Sequence, residues 1–406
     1  MSHRFCYPHM KSVCLVVQSD YEFDPRVRRK AEALVSAGYL VDVLALRASD
    51  GRRTYIRNGV HVETFDLGKK RGSPARYFFE YAAFLLWAFV RVHVLTWRKR
   101  YVVVDVNTLP DFLVFAPLFV RWMGATVLLD MHEITPEFYM SKYGVGRDSW
   151  MVRLATFIER VSFNFADHVV TINDPILDLL VSRGLNSAKA TVVMNSADET
   201  QFAEPSAAAG IADRAGATCV FIYHGTLTRI YGLDIAIEAF AIAEKEMSGA
   251  QLWILGSGPQ REELTALARE RGVEGRVRMV GQVPAGQIPT WLTQSDVGVL
   301  PIRSDVFLDF AFPNKLPEYI ISGKPVIVSR LKGIRQYFDE DALAYFTPTD
   351  ADDLARQMVR LYCDRELRSS LSARAMQQYA PIRWEIMRCR YLNLIDQLAS
   401  GRPLES

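Results

Sequence analysis

Apolar residues in this chain gather in short runs bounded by glycine, proline or aspartate. The runs alternate with stretches where apolar side chains recur every three or four positions. Residues 12–17 form a continuous β-branched run, 26–37 have helical spacing and stop at Gly38, and 40–46 form a second continuous run, together predicting a β-α-β unit. Further strands are predicted at 60–65, 101–106, 125–130, 168–172 and 190–194. After a stretch of small residues they resume at 219–224, 251–255, 276–280, 296–301 and 326–328, with helices at 233–246 and 260–271. Alternation of this kind gives parallel, doubly wound sheets of the α/β class.

The small-residue stretch, Pro205-Ser206-Ala207-Ala208-Ala209-Gly210 running on to Thr218, reads as a linker. It separates residues 1–205 from 206–380, two similar α/β domains whose cleft is the natural place for two substrates. In 381–406, Trp384, Met387, Tyr391, Leu394 and Ile395 at helical spacing predict a closing helix that packs back toward the N-terminal domain.

Residues 76–100 carry an uninterrupted apolar core, 81–90, between Glu80 and Arg91, short of the roughly 18 apolar residues a membrane span needs. The basic clusters Lys69-Lys70-Arg71 and Arg98-Lys99-Arg100, with Trp87 and Trp97, suit a helix resting on an anionic membrane face. A core helix with solvated ends fits the same pattern equally well.

Composition narrows the classes. Half of the 406 residues are apolar, enough for substantial cores, and a net charge of +2 gives no global case for nucleic acid. Five scattered cysteines without metal-ligand spacing predict a reducing compartment, hence cytoplasm, with neither disulfide nor zinc. Residues 1–10 show no signal pattern, so no secretion is expected.

The densest chemistry lies in Phe312-Pro313-Asn314-Lys315-Leu316-Pro317-Glu318-Tyr319, followed by Gly323-Lys324-Pro325-Val326. Asn314 is a good N-cap, so free amides at a helix start and the ammonium of Lys315 suit phosphate, while the Glu318 carboxylate suits a vicinal diol such as ribose. Lys315 and Glu318 could equally form a surface ion pair worth about 0.2 to 0.5 kcal/mol. Gly225 lets backbone approach a ligand, and Arg229 offers a planar fork for phosphate, or else closes a turn and points to solvent. Glycines recur at strand ends in Gly256-Ser257-Gly258-Pro259 and Gly281-Gln282-Val283.

In the first half, Asp105-Val106-Asn107 and Asp130-Met131-His132-Glu133 end neighbouring strands and are expected to converge on one crevice. A structural histidine competes with a functional His132. Arg26, Arg28, Arg29 and Lys30 near a helix start oppose the helix dipole, so some are expected to face an anion or an acidic partner, a solvated basic face being the alternative.

Taken together and in order, these motifs resemble a retaining family 4 glycosyltransferase of the GT-B fold. The matching stretches are Asp24-Pro25-Arg26-Val27, Asp130-Met131-His132-Glu133 with Pro136-Glu137, Ala166-Asp167-His168-Val169-Val170-Thr171, Asn195-Ser196-Ala197-Asp198 with Phe202, His224-Gly225-Thr226-Leu227, Leu255-Gly256-Ser257-Gly258-Pro259, Lys315 with Glu318-Tyr319, and Gly323-Lys324-Pro325-Val326. The resemblance implies a nucleotide diphosphate sugar donor held mainly by the second domain and a saccharide or lipid-linked acceptor held by the first. Polymer and lipid-linked saccharide branches are most similar, implying a cytoplasmic enzyme of cell-surface polysaccharide or glycolipid assembly, associated with the inner membrane face.

The resemblance assigns Glu318 to the ribose, Lys315 to the diphosphate, Gly281, Gln282 and Val283 to the base, and His132 to the sugar. Arg229 stands in for a basic pair whose usual places hold Thr226 and Tyr231. Gly225, Thr226, Gly256, Gly258, Asn314 and Asp309 complete the donor surroundings. Asp309 lies beside Phe310, which occupies the place of a second glutamate eight residues before Glu318. No metal and no cofactor are expected. Two other readings stay open: a non-hydrolysing nucleotide-sugar epimerase, and a catalytically degenerate sugar-nucleotide-binding partner subunit. Sugar, base and acceptor are not encoded legibly.

Overall fold

The structure is a computed structural model that describes residues 10–47, 51–67, 74–203 and 218–401. The chain divides into two compact units, Met1–Met194 with Glu385–Ser406, and Asn195–Trp384. The division precedes the linker read from composition, nearly all of which lies outside the described residues, as does the Lys69 to Arg71 cluster.

The first unit is built on eight strands: β1 (Ser12–Asp20), β2 (Leu40–Leu46), β3 (Thr54–Arg57), β4 (Val60–Phe65), β5 (Tyr101–Asn107), β6 (Thr126–Met131), β7 (His168–Thr171) and β8 (Ala190–Val192). Their order is β3-β4-β2-β1-β5-β6-β7-β8, and all pairs are parallel except β3 with β4. Residues 12–17 of β1 are buried, as a central parallel strand covered on both faces requires. The β3–β4 hairpin escaped the pattern reading because β3 is short and buries mainly Tyr55. Its signal is the Asn58-Gly59 turn, both residues at positive φ (46° and 80°).

Helix α1 (Pro25–Ser36) starts where Asp24 accepts from the amides of Arg26 and Val27 and Pro25 takes the first helical position. Helix α2 (Pro74–Lys99) buries Phe84, Ala88, Val92 and Leu95 with Cys14, Val16, Val104 and Val106 of the sheet. Residues Phe79–Lys99 are long and apolar enough to cross a membrane by length and composition. In this fold, however, one face joins the core, Arg91 donates to Glu63 (2.9 Å), and Lys99 donates to Asp42 (2.6 Å). Phe79, Leu86, Val90 and Trp97 remain exposed on the other side. Helices α3 (Thr135–Tyr143), α4 (Trp150–Phe165) and α5 (Asp174–Ser182) follow, α4 capped by Ser149 and α5 by Asn173.

The second unit opens with the short α6 (Thr200–Ala203) and holds a six-stranded parallel sheet: β9 (Cys219–His224), β10 (Ala250–Leu255), β11 (Val277–Gly281), β12 (Val297–Leu300), β13 (Val326–Ser329) and β14 (Ala344–Phe346). The order β11-β10-β9-β12-β13-β14 reverses direction between β9 and β12, and ligands of such sheets bind outside the carboxyl ends near that reversal. Helices α7 (Leu233–Ala243), α8 (Arg261–Glu270), α9 (Ile288–Thr293), α10 (Lys315–Ile321), α11 (Lys332–Arg335), α12 (Ala351–Cys363) and α13 (Arg365–Tyr379) connect these strands and follow the last. The final helix, α14 (Trp384–Ser400), folds onto the first unit, burying Met387, Tyr391, Leu394 and Ile395. There Arg390 donates to the Val192 carbonyl (3.0 Å), and the Leu398 carbonyl accepts from Thr126 Oγ1 (3.3 Å).

Candidate functional site

In the second unit, the loops after β9, β10 and β11 meet helix α10 around a cavity of about 320 Å³. His224, Gly225, Thr226, Gly256, Gln282 and Glu318 are among the residues that line it. The loops are locked by backbone: Gly225 N donates to the Leu255 carbonyl (2.9 Å), Leu227 N to Ser257 (3.0 Å) and Gly256 N to Gly281 (2.6 Å). Two glycines permit this approach. Gly256, at φ +136°, would put a Cβ 1.8 Å from the Gly225 carbonyl oxygen, and Gly225, at φ +129°, would put one 2.1 Å from Lys315 Cε.

Lys315 therefore lies along the bare face of Gly225, half-buried, with Nζ 4.2 Å from the Tyr231 ring centroid and 5.5 Å from that of Tyr223. It makes no ion pair among the described residues. Burial pushes its pKa down to about 8, against the pull of Glu318. An ammonium held this way, short of a full counter-charge, is prepared for an anion brought by a ligand.

His224 stands beside it, a site residue that the sequence pattern alone does not single out. Its Nε2 lies 3.3 Å from Glu318 Oε2, and burial, then the Lys315 field, pushes its pKa down to about 3, so it is neutral near pH 7. Its backbone N donates to Tyr319 Oη (3.3 Å), which donates to the Ile222 carbonyl (3.2 Å). The available signal was its place at the end of a buried strand, directly before Gly225, the same kind of place that singled out His132.

Three sequence expectations change here. Asn314 does not cap α10: its backbone is helical (φ −56°, ψ −24°), its side chain accepts nothing from the first turn, and the helix is seven residues long. The positive field thus comes from the Lys315 side chain rather than from a capped helix start. Asp309 accepts from Lys332 N (3.1 Å) with Lys332 Nζ 3.3 Å from its other oxygen, so it holds the start of α11, and it is not among the residues lining the cavity. Arg229 is exposed on a 3-10 turn (Arg229–Tyr231) and is not among the residues lining the cavity. The residue beside it in function is Tyr231, whose ring seats Lys315. Gly281 and Gly258 shape the neighbouring loops, with Gln282 and Val283 on the cavity wall.

The first unit holds a separate polar cluster at the carboxyl ends of β5 and β6, where Asn107 pairs in register with Asp130. His132 Nε2 lies 3.2 Å from both Asp130 Oδ2 and Asn107 Oδ1. The convergence predicted from strand-end residues is present. Lys30 of α1 is ion-paired with Asp130, and Tyr391 of α14 donates to Asp105 Oδ2 (2.7 Å) beneath it.

Asp105, Asn107 and Asp130 are fully buried. Burial, aided by Asp130, holds Asp105 well above the usual carboxyl range, whereas His132 and Lys30 hold Asp130 below it. Burial lowers the His132 pKa against the pull of Asp130, and its buried Nδ1 has no hydrogen-bond partner. The basic residues of α1 face internal acceptors: Arg26 meets Asp24, Arg28 the Glu22 carbonyl, Arg29 the Pro25 carbonyl, and Lys30 Asp130.

Residues 24–196 match the family model for the Glycosyl transferase 4-like domain, and residues 218–364 match that for Glycosyl transferases group 1. Each unit thus matches a glycosyltransferase domain model, and the two Rossmann-like sheets have the GT-B fold class. Over 148 residues the chain is 30% identical to the lipopolysaccharide core biosynthesis glycosyltransferase LpsE of Rhizobium meliloti (strain 1021), covering 35% of this chain and 39% of that protein. Sucrose-phosphate synthase from Thermosynechococcus elongatus has a similar structure, with TM-score 0.76, 20% identity and coverage of 97% of this chain and 100% of that one. Anabaena HepE, solved in complex with UDP, gives TM-score 0.71, 15% identity and coverage of 96% and 100%. Both likenesses concern the fold. The chain spans between 18% and 39% of the length of the curated relatives it matches.

Proposed function

We propose that this chain is a retaining glycosyltransferase that moves a hexosyl group from a nucleotide diphosphate sugar to a saccharide or lipid-linked acceptor in cell-surface polysaccharide or glycolipid assembly. The observation that carries the donor assignment is the half-buried Lys315 ammonium, without an ion pair among the described residues, which packs against Gly225 at the edge of the cavity that Gly225 and Glu318 line. The diphosphate takes the lysine, the ribose diol takes Glu318, and the base lies along Gln282 and Val283. The UDP complex of the structurally similar HepE and the lipopolysaccharide role of the relative LpsE support this reading.

When the bond from the anomeric carbon to the diphosphate breaks, negative charge grows on the departing oxygen, where Lys315 stabilises it. The positive charge is supplied by a side chain, so turnover needs no divalent ion. EDTA should leave activity unchanged; loss in chelator with recovery in magnesium or manganese refutes this. The enzyme is assigned to the cytoplasm at the inner membrane face, which the exposed Trp97, Arg98 and Arg100 at the end of α2 support.

Glu318→Gln keeps the shape and one acceptor oxygen but loses the charge. Charge-assisted hydrogen bonds of about 1.5 to 3 kcal/mol weaken, so the donor Michaelis constant should rise about tenfold to a hundredfold with a smaller change in turnover. Calorimetric titration of UDP and GDP, then steady-state kinetics, checks this; wild-type donor affinity in the variant defeats the ribose assignment. Conversion of the donor with no acceptor present would identify an epimerase instead.

A further inference from the structure

The outward face of α4 is apolar. Trp150, Leu154, Phe157 and Val161 recur at helical spacing and are 73%, 47%, 63% and 38% exposed, while Val152, Ala155, Glu159 and Phe163 on the opposite face are buried. A surface helix normally turns polar residues outward, so this stripe has the composition of a face that something covers. Beside it opens a cavity of about 380 Å³ lined in part by Met140, Phe157 and four arginines, Arg147, Arg153, Arg160 and Arg183. Arg183 is committed, paired with Glu137 and with Glu159 (2.9 Å). The side chains of the other three make no hydrogen bond or ion pair among the described residues.

Three uncompensated guanidinium groups next to an apolar stripe complement a phosphate carried on hydrocarbon. Free phosphate would give Trp150, Leu154 and Phe157 nothing to enter. A second copy meeting this face about a twofold axis would set arginine against arginine.

We propose that the α3–α4 surface docks on an anionic phospholipid leaflet, with lipid phosphates entering the arginine-lined cavity and Trp150, Leu154 and Phe157 entering the acyl boundary. The assignment is independent of the donor site and of the basic end of α2. It gives the chain a second contact of the same sign, and two such signals are what stable peripheral attachment generally takes.

Co-sedimentation of the full chain with phosphatidylglycerol–phosphatidylcholine vesicles, against pure phosphatidylcholine, tests it. The wild type should bind the anionic vesicles preferentially. R153E/R160E and W150S/F157S should each weaken that binding by about tenfold or more while keeping the wild-type circular dichroism spectrum, since all four side chains are largely solvent-facing. R153Q/R160Q, a milder change, should weaken binding by a smaller factor.

Any of three results overturns the proposal. Loss of binding only in R98E/R100E leaves α2 as the sole contact. A dimer in sedimentation velocity that W150S/F157S dissociates makes a second copy the cover. Glycerol 3-phosphate binding as tightly as vesicles, with W150S/F157S indifferent, makes the cavity a free-phosphate site. Vesicle binding that depends on α4 in a chain with no nucleotide affinity would reject the donor assignment and leave this one standing.

Discussion

Lys315→Ala should raise the dissociation constant for a nucleoside diphosphate about tenfold to a hundredfold, the equivalent of losing a charge-assisted contact of about 1.5 to 3 kcal/mol, and should also lower turnover. The turnover effect separates it from Glu318→Gln, because the charge that Lys315 meets is larger in the transition state than in the ground state. Gly225→Ala should reproduce much of the loss without touching the charge, since the new Cβ would sit 2.1 Å from Lys315 Cε and 2.8 Å from Nζ.

The pH dependence has a definite sign. Lys315 titrates at about 8 in the free protein instead of 10.5, so its charge costs stability below about 8, and the cost disappears as pH rises through 10.5. Nucleotide binding acts in the opposite sense, because the anion favours the protonated form. Affinity should be flat below pH 8 and fall by up to about tenfold per unit above it, with proton uptake visible by calorimetry in buffers of different ionisation enthalpy. Pairs of pH-independent binding curves with wild-type affinity in Lys315→Ala would mean that the lysine only fills space over Tyr231.

Asp130→Asn should be the most destabilising of the variants considered. Lys30 is 3% exposed and its ammonium faces Asp130, so removing the carboxylate charge strands a buried cation, a change that costs about 3 to 5 kcal/mol. Urea unfolding should show an earlier first transition, assigned to the first unit by the fluorescence of its tryptophans, while nucleotide titration into the second unit stays near wild type. Lys30→Met with Asp130→Leu, which removes both charges, should recover most of the stability. Lys30→Met alone should raise the pKa of His132, since the Lys30 field is one of the influences that hold it down; the histidine resonances in a pH titration report this. A midpoint unchanged in Asp130→Asn would show that Asp105 takes over as the counter-ion.

The alternation of apolar runs determined the central strands of both sheets, because a strand covered on both faces has to be continuously apolar whatever its neighbours are, but it left out the short edge strands β3 and β14. It located β9 at its observed bounds and placed Asn107 and Asp130 at adjacent strand ends, where register then brings His132 within reach of both. Lys315 and Glu318 were legible for the same local reason: one helical turn sets them on neighbouring positions, and glycines at the strand ends leave room beside them. What the sequence could not state is which distant side chain occupies that room.

The seat of Lys315 over Tyr231, the neutral state of His224, the capture of Asp309 by Lys332 and the burial of Lys30 against Asp130 are contacts between residues far apart in the chain. Propensity and spacing carry no information about such contacts. Asn314 illustrates the limit from the other side: a residue with strong capping preference takes a helical backbone, because Lys315 and the buried Leu316, Pro317 and Tyr319 fix the start of α10 by packing. Local pattern decided the elements and the strand-end chemistry; tertiary packing decided which of those groups are charged, which are held by partners, and which are left for a ligand.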